Sequence, residues 1–475
     1  MKKIESLSVF CGVLISGTSS LHANEKATEQ PNVIIVFLDD SGYSDFGCYG
    51  NTQNRTPVVD RMAAEGMRFT DFYVSSGVST PSRSSLMTGC YSRRISMHIN
   101  ADPKPLMNMG RQVLFPVSHK GLNPSEITIA EMLKEQGYVT ACIGKWHMGD
   151  QPPFLPTRQG FDYYYGIPYS NDMNRDNCPL PLMEQEEVIV APVGQDSLTW
   201  RYTTKAIEFI QKNKDKPFFL YLPHNMPHTP LGASTNFRGK SSNGLYGDVI
   251  EELDWSMGEI FAFLKKEGLD EKTIVIFSSD NGGVPQAGGR NLPLRAGKGT
   301  TYEGGQRVPC IVRWPGKIPA GIVCNEIVTS MDIFPTIAHY CNGKVPSDRI
   351  IDGKNIAPLL ERKPGAKSQT EVFYYYQRQQ LQAVRWGNWK YHLPLEEKIQ
   401  NVHSGEVAPS QAELYDLEKN ISETNNLATK HPEVIAQMEI FIRQVREDMG
   451  DWGYEGKNQR PAGFIDEPFP RLMNK

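Results

Sequence analysis

The chain shows no marked excess of either charge. Fifty Lys and Arg stand against 54 Asp and Glu, a formal net charge of −4. That balance excludes the basic stripe on which nucleic-acid binders rely, so no nucleic-acid partner is expected. Long apolar runs are lacking too. The exception is the start, "MKKIESLSVFCGVLISGTSSLHANEKA", where two lysines precede about a dozen apolar residues and "LHA" closes on a small one. This reads as a cleavable leader, residues 1–23, cut after Ala23; the run is too short for a membrane span. A periplasmic or secreted protein without a transmembrane anchor is expected. Cysteine is scarce and unpaired by spacing. Of eight, Cys11 falls in the leader, and 48, 90, 142, 178, 310, 324 and 341 are scattered. Neither a zinc framework nor a small disulfide scaffold follows from such positions, although one or two bridges remain open. No internal repeat or low-complexity segment is evident.

What is present is an alternation. Short apolar runs, "NVIIVFLDD" (32–40), "VTACIGK" (139–145), "PFFLYL" (217–222), "TIVIFSSD" (273–280) and "CIVRWP" (310–315), read as buried strands. Helical patterns lie between them. "TPVVDRMAAEG" offers Thr56 as N-cap, Pro57 at the first helical position and Gly66 as the stop. "TIAEMLKEQG" carries a Thr128/Glu131 capping box and ends at Gly137. The expected fold is α/β, a large, mixed, mostly parallel sheet between helices over residues 24–345. Beyond about residue 345, "TEVFYYYQRQQLQAVRWGNWKYHLP", "AELYDLEKN" and "HPEVIAQMEIFIRQVREDMG" suggest a smaller antiparallel sheet packed with one helix, a subdomain over 346–475.

Two of the strands end in hard oxygen donors: Asp39 and Asp40 after the first, Asp280 and Asn281 after "IVIFSS". Ligands of α/β sheets bind beyond the carboxyl ends of strands. Carboxylates gathered there repel one another unless a cation lies between them, and an all-oxygen set favours Ca²⁺ or Mg²⁺ over zinc. "DD" alone is read equally well as a turn cap; the matching "SSDNGG" moves the reading toward metal. Other strand ends bring "IGKWHMG" with Lys145 and His147, "LPHNMPHTP" with His224 and His228, and a glycine-rich loop, "LRAGKGTTYEGG", with Lys298. Together with "SGVSTPSRSSLMTG" (76–89), which is rich in hydroxyls and places Ser79 four residues before Arg83, this is equipment for an anionic, tetrahedral, oxygen-rich group.

"STPSRSSLMTG" resembles the Ser-type form of the type I sulfatase signature. "LDDSGYSDFGCYG", "GKWHMG", "PHTP", "SSDNGG" and "GKGTTYEGG" are similar to further blocks of that family, in order, and "VTSMDIFPTIA" and "AVRWGNWKY" with "ELYDL" extend the likeness to about residue 430. The resemblance points to the arylsulfatase A and N-acetylgalactosamine sulfatase branch of the alkaline phosphatase superfamily. It implies that Ser79 is oxidised to formylglycine by an anaerobic sulfatase-maturating enzyme, and that Asp39, Asp40, Asp280, Asn281 and the modified Ser79 hold Ca²⁺. It implies that Arg83 holds the nucleophile, Lys145 and Lys298 bind sulfate, His147 is the base of the eliminating step and His228 the acid for the departing alcohol. "GIPYSND" (166–172) resembles the segment that supplies a sulfate-contacting Ser170. Asn171, Asp172, Arg175, His224 and His98 lie beside these blocks and are candidate contacts to sugar hydroxyls. The substrate so implied is a sulfated carbohydrate, with exo action on sulfated galactose or N-acetylgalactosamine of mucin or glycosaminoglycan. Two alternatives remain: a phosphatase or phosphodiesterase with Ser79 as its own nucleophile, and an inactive glycan-binding relative.

Overall fold

The computed structural model describes residues 1, 30–100, 111–175, 177–395 and 409–473. Apart from Met1, the expected leader lies outside the described residues. A ten-stranded sheet is built from Asn32–Leu38 (β1), Met67–Phe69 (β2), Val139–Ile143 (β3), Tyr163–Gly166 (β4), Leu182–Glu184 (β5), Glu187–Val190 (β6), Phe218–Leu222 (β7), Thr273–Ser279 (β8), Cys310–Arg313 (β9) and Ile322–Cys324 (β10). Their order is β10-β2-β9-β8-β1-β7-β3-β4-β5-β6. The five strands β8-β1-β7-β3-β4 run parallel. Antiparallel pairs flank them on both sides.

The centre of the sheet explains its own sequence. Val33, Ile35 and Phe37 of β1 enter one apolar cluster, and Ile34, Val36 and Leu38 enter the other. A strand buried on both faces must read as a continuous apolar run. Each such side chain contributes about 1.5–3 kcal/mol on burial. Helices Pro57–Glu65 (α1), Leu198–Asn213 (α2) and Gly244–Lys266 (α3) cover the face of Ile34 through Val59, Leu198 and Val249. Ser79–Thr88, Ile129–Lys134 and Ile333–Tyr340 cover the opposite face through Leu86, Met132 and Ile337.

The Thr128/Glu131 capping box forms, with both reciprocal bonds present. Thr56 makes no capping bond. Its hydroxyl instead donates to Asp60 Oδ1 (3.2 Å), and the carboxylate of Asp254 on α3 accepts the N–H groups of Val58 and Val59 at 3.1 and 2.8 Å. A cap from another helix has no local signature. The run at 310–313 is a strand, but antiparallel to β8. The chain returns through the glycine-rich loop rather than over a crossover helix, as parallel pairing would require.

A second, four-stranded antiparallel sheet comprises Val372–Gln377, Gln380–Trp386, Trp389–His392 and Glu413–Asp416. The helix Pro432–Met449 packs on it, burying Met438, Ile442 and Val445 beside Tyr375, Val384 and Tyr391. The seven described cysteines are all free. No described helix is long and apolar enough to cross a membrane.

Candidate active site

Because β8, β1, β7, β3 and β4 run parallel, the residues that follow them emerge at one edge of the sheet. Asp39 and Asp40 follow β1, Lys145 and His147 follow β3, Ser170 follows β4, His228 follows β7, and Asp280 and Asn281 follow β8. Ser79 enters from outside the sheet, as the first residue of a helix whose ten residues are all buried. Most hydroxyls of this polar run have hydrogen-bond partners, which lets it be buried, although Ser82 Oγ has none among the described residues. Ser84 Oγ donates to Pro81 O (2.8 Å), Thr88 Oγ1 to Ser84 O (2.8 Å) and Thr80 Oγ1 to His147 O (2.9 Å).

Ser79 Oγ lies 2.6 Å from Asp280 Oδ2 and 2.8 Å from Asp39 Oδ1. Arg83, one turn along the helix, reaches the same Asp280 oxygen through Nε (3.0 Å) and Nη2 (2.8 Å) and lies 3.6 Å from Asp39. Lys145 Nζ is 2.5 Å from Asp39 Oδ2, 3.1 Å from Ser170 Oγ and 3.3 Å from Ser79 Oγ. Lys298 Nζ donates to Asp40 Oδ2 at 2.8 Å, and His228 Nε2 is 3.7 Å from that oxygen. Asn281 Nδ2 donates to Asp40 Oδ1 at 2.7 Å.

Single carboxylate oxygens of Asp39, Asp40 and Asp280 fall within 4.8 Å of one another, all buried. Asn281 Oδ1, also buried, has no hydrogen-bond donor among the described residues. Three carboxylates and one unpaired amide oxygen, without His or Cys, form a donor set that fits a hard divalent cation. Burial first, then the charge of Asp39, pushes the Asp280 carboxyl up to about 7. Asp39 moves the other way: against the burial that would raise it, Lys145, His228, Arg83 and Lys298 hold it well below the usual carboxylate range.

His147 has a left-handed backbone, φ 59°, which costs a non-glycine residue about 1–3 kcal/mol and persists only where its surroundings enforce it. Burial, then Lys145, holds its imidazole well below the usual histidine range, so the ring is neutral. Leu114 O, 2.9 Å from Nε2, takes the N–H there and leaves Nδ1 as the free lone pair; Nδ1 has no partner among the described residues. Burial and then Lys298 depress His228 as well. Its Nδ1 lies 2.5 Å from Thr229 O.

Some expected substrate contacts have other partners. Asn171 Nδ2 is taken up by Gln195 Oε1 (2.6 Å), His228 O and Pro230 O (both 3.2 Å), so it clamps the His228 loop. His98 is buried 2.6 Å from Arg93, and His224 is buried beside the ring of Tyr202. Neither hydrogen-bonds any residue of the cluster. Asp172 and Arg175 are exposed, and Arg175 lies over the ring of Phe115 (5.5 Å). Gln195, Thr80 and Leu114 escaped the sequence reading. Thr80 alone had a local signal, as the residue next to Ser79 within the signature.

The loop of Lys298 is pinned from the second sheet. Glu303 accepts from Tyr375 (2.8 Å) and Lys390 (2.9 Å), and its own N–H donates to Glu423 (2.7 Å).

Carboxylates, lysines and a buried helical serine at one edge of a mostly parallel sheet are equipment suited to a hydrolase of charged esters. The sulfatase family profile matches residues 31–343, and the profile "N-sulphoglucosamine sulphohydrolase, C-terminal" matches 297–448. The chain is 35% identical to human arylsulfatase A, covering 88% of each chain. It is 36% identical to mouse N-acetylgalactosamine-6-sulfatase, covering 77% of this chain and 72% of the relative. Among solved structures, a Bacteroides thetaiotaomicron sulfatase described under the metabolism of multiple glycosaminoglycans superposes with a TM-score of 0.77 at 30% identity, covering 88% of this chain and 100% of that one. Another, solved with a neocarrahexaose, gives 0.75 at 29%, covering 90% and 95%. The chain belongs to the sulfatase family, and its fold is that of the sulfatases. It is a hydrolase of sulfate esters.

Proposed function

We propose that the protein removes sulfate from sulfated glycans through a formylglycine made from Ser79, with Ca²⁺ held by Asp39, Asp40, Asp280, Asn281 and residue 79. The observation that carries this is the seating of Ser79 Oγ between two carboxylates of the oxygen cluster, at 2.6 and 2.8 Å, at the start of a buried helix. An anaerobic maturating enzyme converts the side chain, removing two hydrogens. Hydration of the aldehyde then gives two hydroxyls on one carbon.

When bound, the cation supplies positive charge for the nucleophile and the sulfate oxygens. Asp280 takes the proton of the attacking hydroxyl, whose oxygen bonds to sulfur as the sulfur–alcohol bond breaks. Arg83 holds Asp280 in line. Lys145, Lys298 and Ser170 hold sulfate oxygens. His228 Nε2 passes a proton from Lys298 to the departing alcohol. His147 Nδ1 then takes the proton of the second hydroxyl, the bond from carbon to the sulfated oxygen breaks, sulfate leaves and the aldehyde returns. A plain serine lacks that second hydroxyl and would stay sulfated. The charges fit the task. Three carboxylates face Arg83, Lys145 and Lys298, so a divalent cation leaves a positive excess for an anion.

The phosphatase reading needs a second metal site. Among the described residues only one group of His, Cys, Asp and Glu side chains has metal-ligand spacing. A phosphonate monoester hydrolase of Agrobacterium radiobacter shares the fold at 18% identity, and at that level the likeness does not extend to the reaction. An inactive binder would have no use for the full catalytic set. The N-acetylgalactosamine-6-sulfatase name of a relative and the carbohydrate-bound neighbour support a sulfated sugar as substrate; we take it to be a sulfated galactose or N-acetylgalactosamine of mucin or glycosaminoglycan, attacked from the chain end. Exposed Asp172 and Arg175 are the sugar contacts we favour. We assign residues 24–345 to the catalytic domain and 346–475 to the C-terminal subdomain, with a leader cut after Ala23 directing the enzyme to the periplasm or outside. Matured protein offered a panel of sulfated mono- and oligosaccharides should release sulfate from terminal galactose or N-acetylgalactosamine esters. Release from phosphate esters alone would overturn the reading.

A further inference from the structure

Residues after 448 lie beyond both family profiles, yet the described part of this segment returns to the catalytic layer. Gly463–Phe464 pairs antiparallel with Lys120–Gly121. Gln151 clasps the backbone of one tail residue, accepting from Phe469 N and donating to Phe469 O, both at 3.0 Å. Arg471 Nε donates to Asp150 O at 2.7 Å, and its side chain is buried.

These partners are the supports of His147. Asp150 Oδ2 accepts Val117 N (2.7 Å), which fixes the segment carrying Leu114. Leu114 O takes the His147 Nε2 proton, and Leu114 N donates to Thr80 Oγ1, beside the nucleophile (3.1 Å). Leu122, next to the paired Gly121, donates its N–H to Met148 O at 2.8 Å. Phe154 sits at the centre: its carbonyl accepts Trp146 Nε1 (2.8 Å), immediately before His147. Its side chain fills a nest of three glycines. A Cβ on Gly121, Gly149 or Gly463 would come within 2.2, 2.6 or 2.4 Å of it. One of the three belongs to the tail.

We infer that Gly463–Arg471 is a positioning strap that holds His147 in its left-handed conformation with Nδ1 presented to residue 79. This rests on His147 as the base of the eliminating step. The strap touches no reacting atom and acts through the loops at 114–122 and 147–154. Its loss should therefore slow release of sulfate from the enzyme more than binding of substrate.

The test compares matured full-length enzyme with Arg471→Ala, Gly463→Val, a truncation after Ala462, the conservative Arg471→Lys and, as reference, His147→Ala. The readouts are kcat, KM, thermal unfolding, and the mass of the acid-quenched peptide bearing residue 79. In the strap variants kcat should fall about 10- to 100-fold, the scale of a displaced catalytic group, with KM falling in step so that kcat/KM changes about twofold or less. The peptide should retain a sulfuryl group, as in His147→Ala, and Arg471→Lys should recover part of the rate. If the truncated chain fails to fold, the point variants carry the test. A kcat within about twofold of the parent, or a loss of rate without trapped sulfuryl, overturns the strap. A His147→Ala enzyme that traps no sulfuryl overturns the base assignment itself, and the strap's stated role with it.

Discussion

Replacing Lys145 by methionine keeps most of the stem and deletes one ammonium from the centre of the cluster. That ammonium is 2.5 Å from Asp39, 3.1 Å from Ser170 and 3.3 Å from Ser79. Two routes give the size of the effect. Unit charges about 4 Å apart at an effective dielectric near 20 interact by roughly 4 kcal/mol. Removal of one donor to a developing oxyanion costs about 100- to 1000-fold in kcat, or roughly 3–4 kcal/mol. The two agree, so kcat should fall by about that factor, and KM should change far less because the sulfate oxygens carry less charge before the transition state. Cation binding should move the other way. The same substitution removes a positive charge beside Asp39, so metal-depleted Lys145→Met should bind Ca²⁺ more tightly than the parent. Initial rates of sulfate release and calorimetric Ca²⁺ titration read the two effects separately. A kcat within about threefold of the parent would mean that the lysine merely neutralises Asp39, and weakened Ca²⁺ binding would mean that it supports the geometry of the site; either removes Lys145 from its role on the sulfate oxygens.

Two further outcomes concern the nucleophile and the ion. Ser79→Ala should abolish sulfate release while the circular dichroism spectrum stays that of the parent; unchanged turnover would remove Ser79 from the mechanism. Metal analysis should find one calcium per chain. Because Asp280 is held up to about 7, it is protonated below that pH in metal-depleted protein. Adding Ca²⁺ at about pH 6 should therefore release a proton, and the release should fade above about pH 8. Calorimetry in buffers of different ionisation enthalpy measures this, and equal proton release at both ends would contradict the assignment of Asp280 as a ligand.

The parts of the fold legible in the sequence were those set by local patterns. β1 and β8 are read from their apolar runs because both of their faces are buried, and the Thr128/Glu131 box because all its atoms lie within one turn. Parallel strands then place their following residues at one edge, which is why Asp39, Lys145 and Asp280 meet although each is far from the others in sequence. What escaped depends on contacts with no periodicity. Asp254 caps α1 from another helix, Asn171 serves the His228 loop, and Phe469 returns across more than 300 positions to Gln151. The antiparallel course of Cys310–Arg313 was hidden for the same reason, since a four-residue strand carries no sign of its direction.

The chemical state of residue 79 decides the mechanism. Mass spectrometry of the peptide that spans it, taken from active enzyme of the native host, should show a side chain lighter than serine by two hydrogens. An unmodified serine in fully active enzyme would contradict the mechanism at its first step.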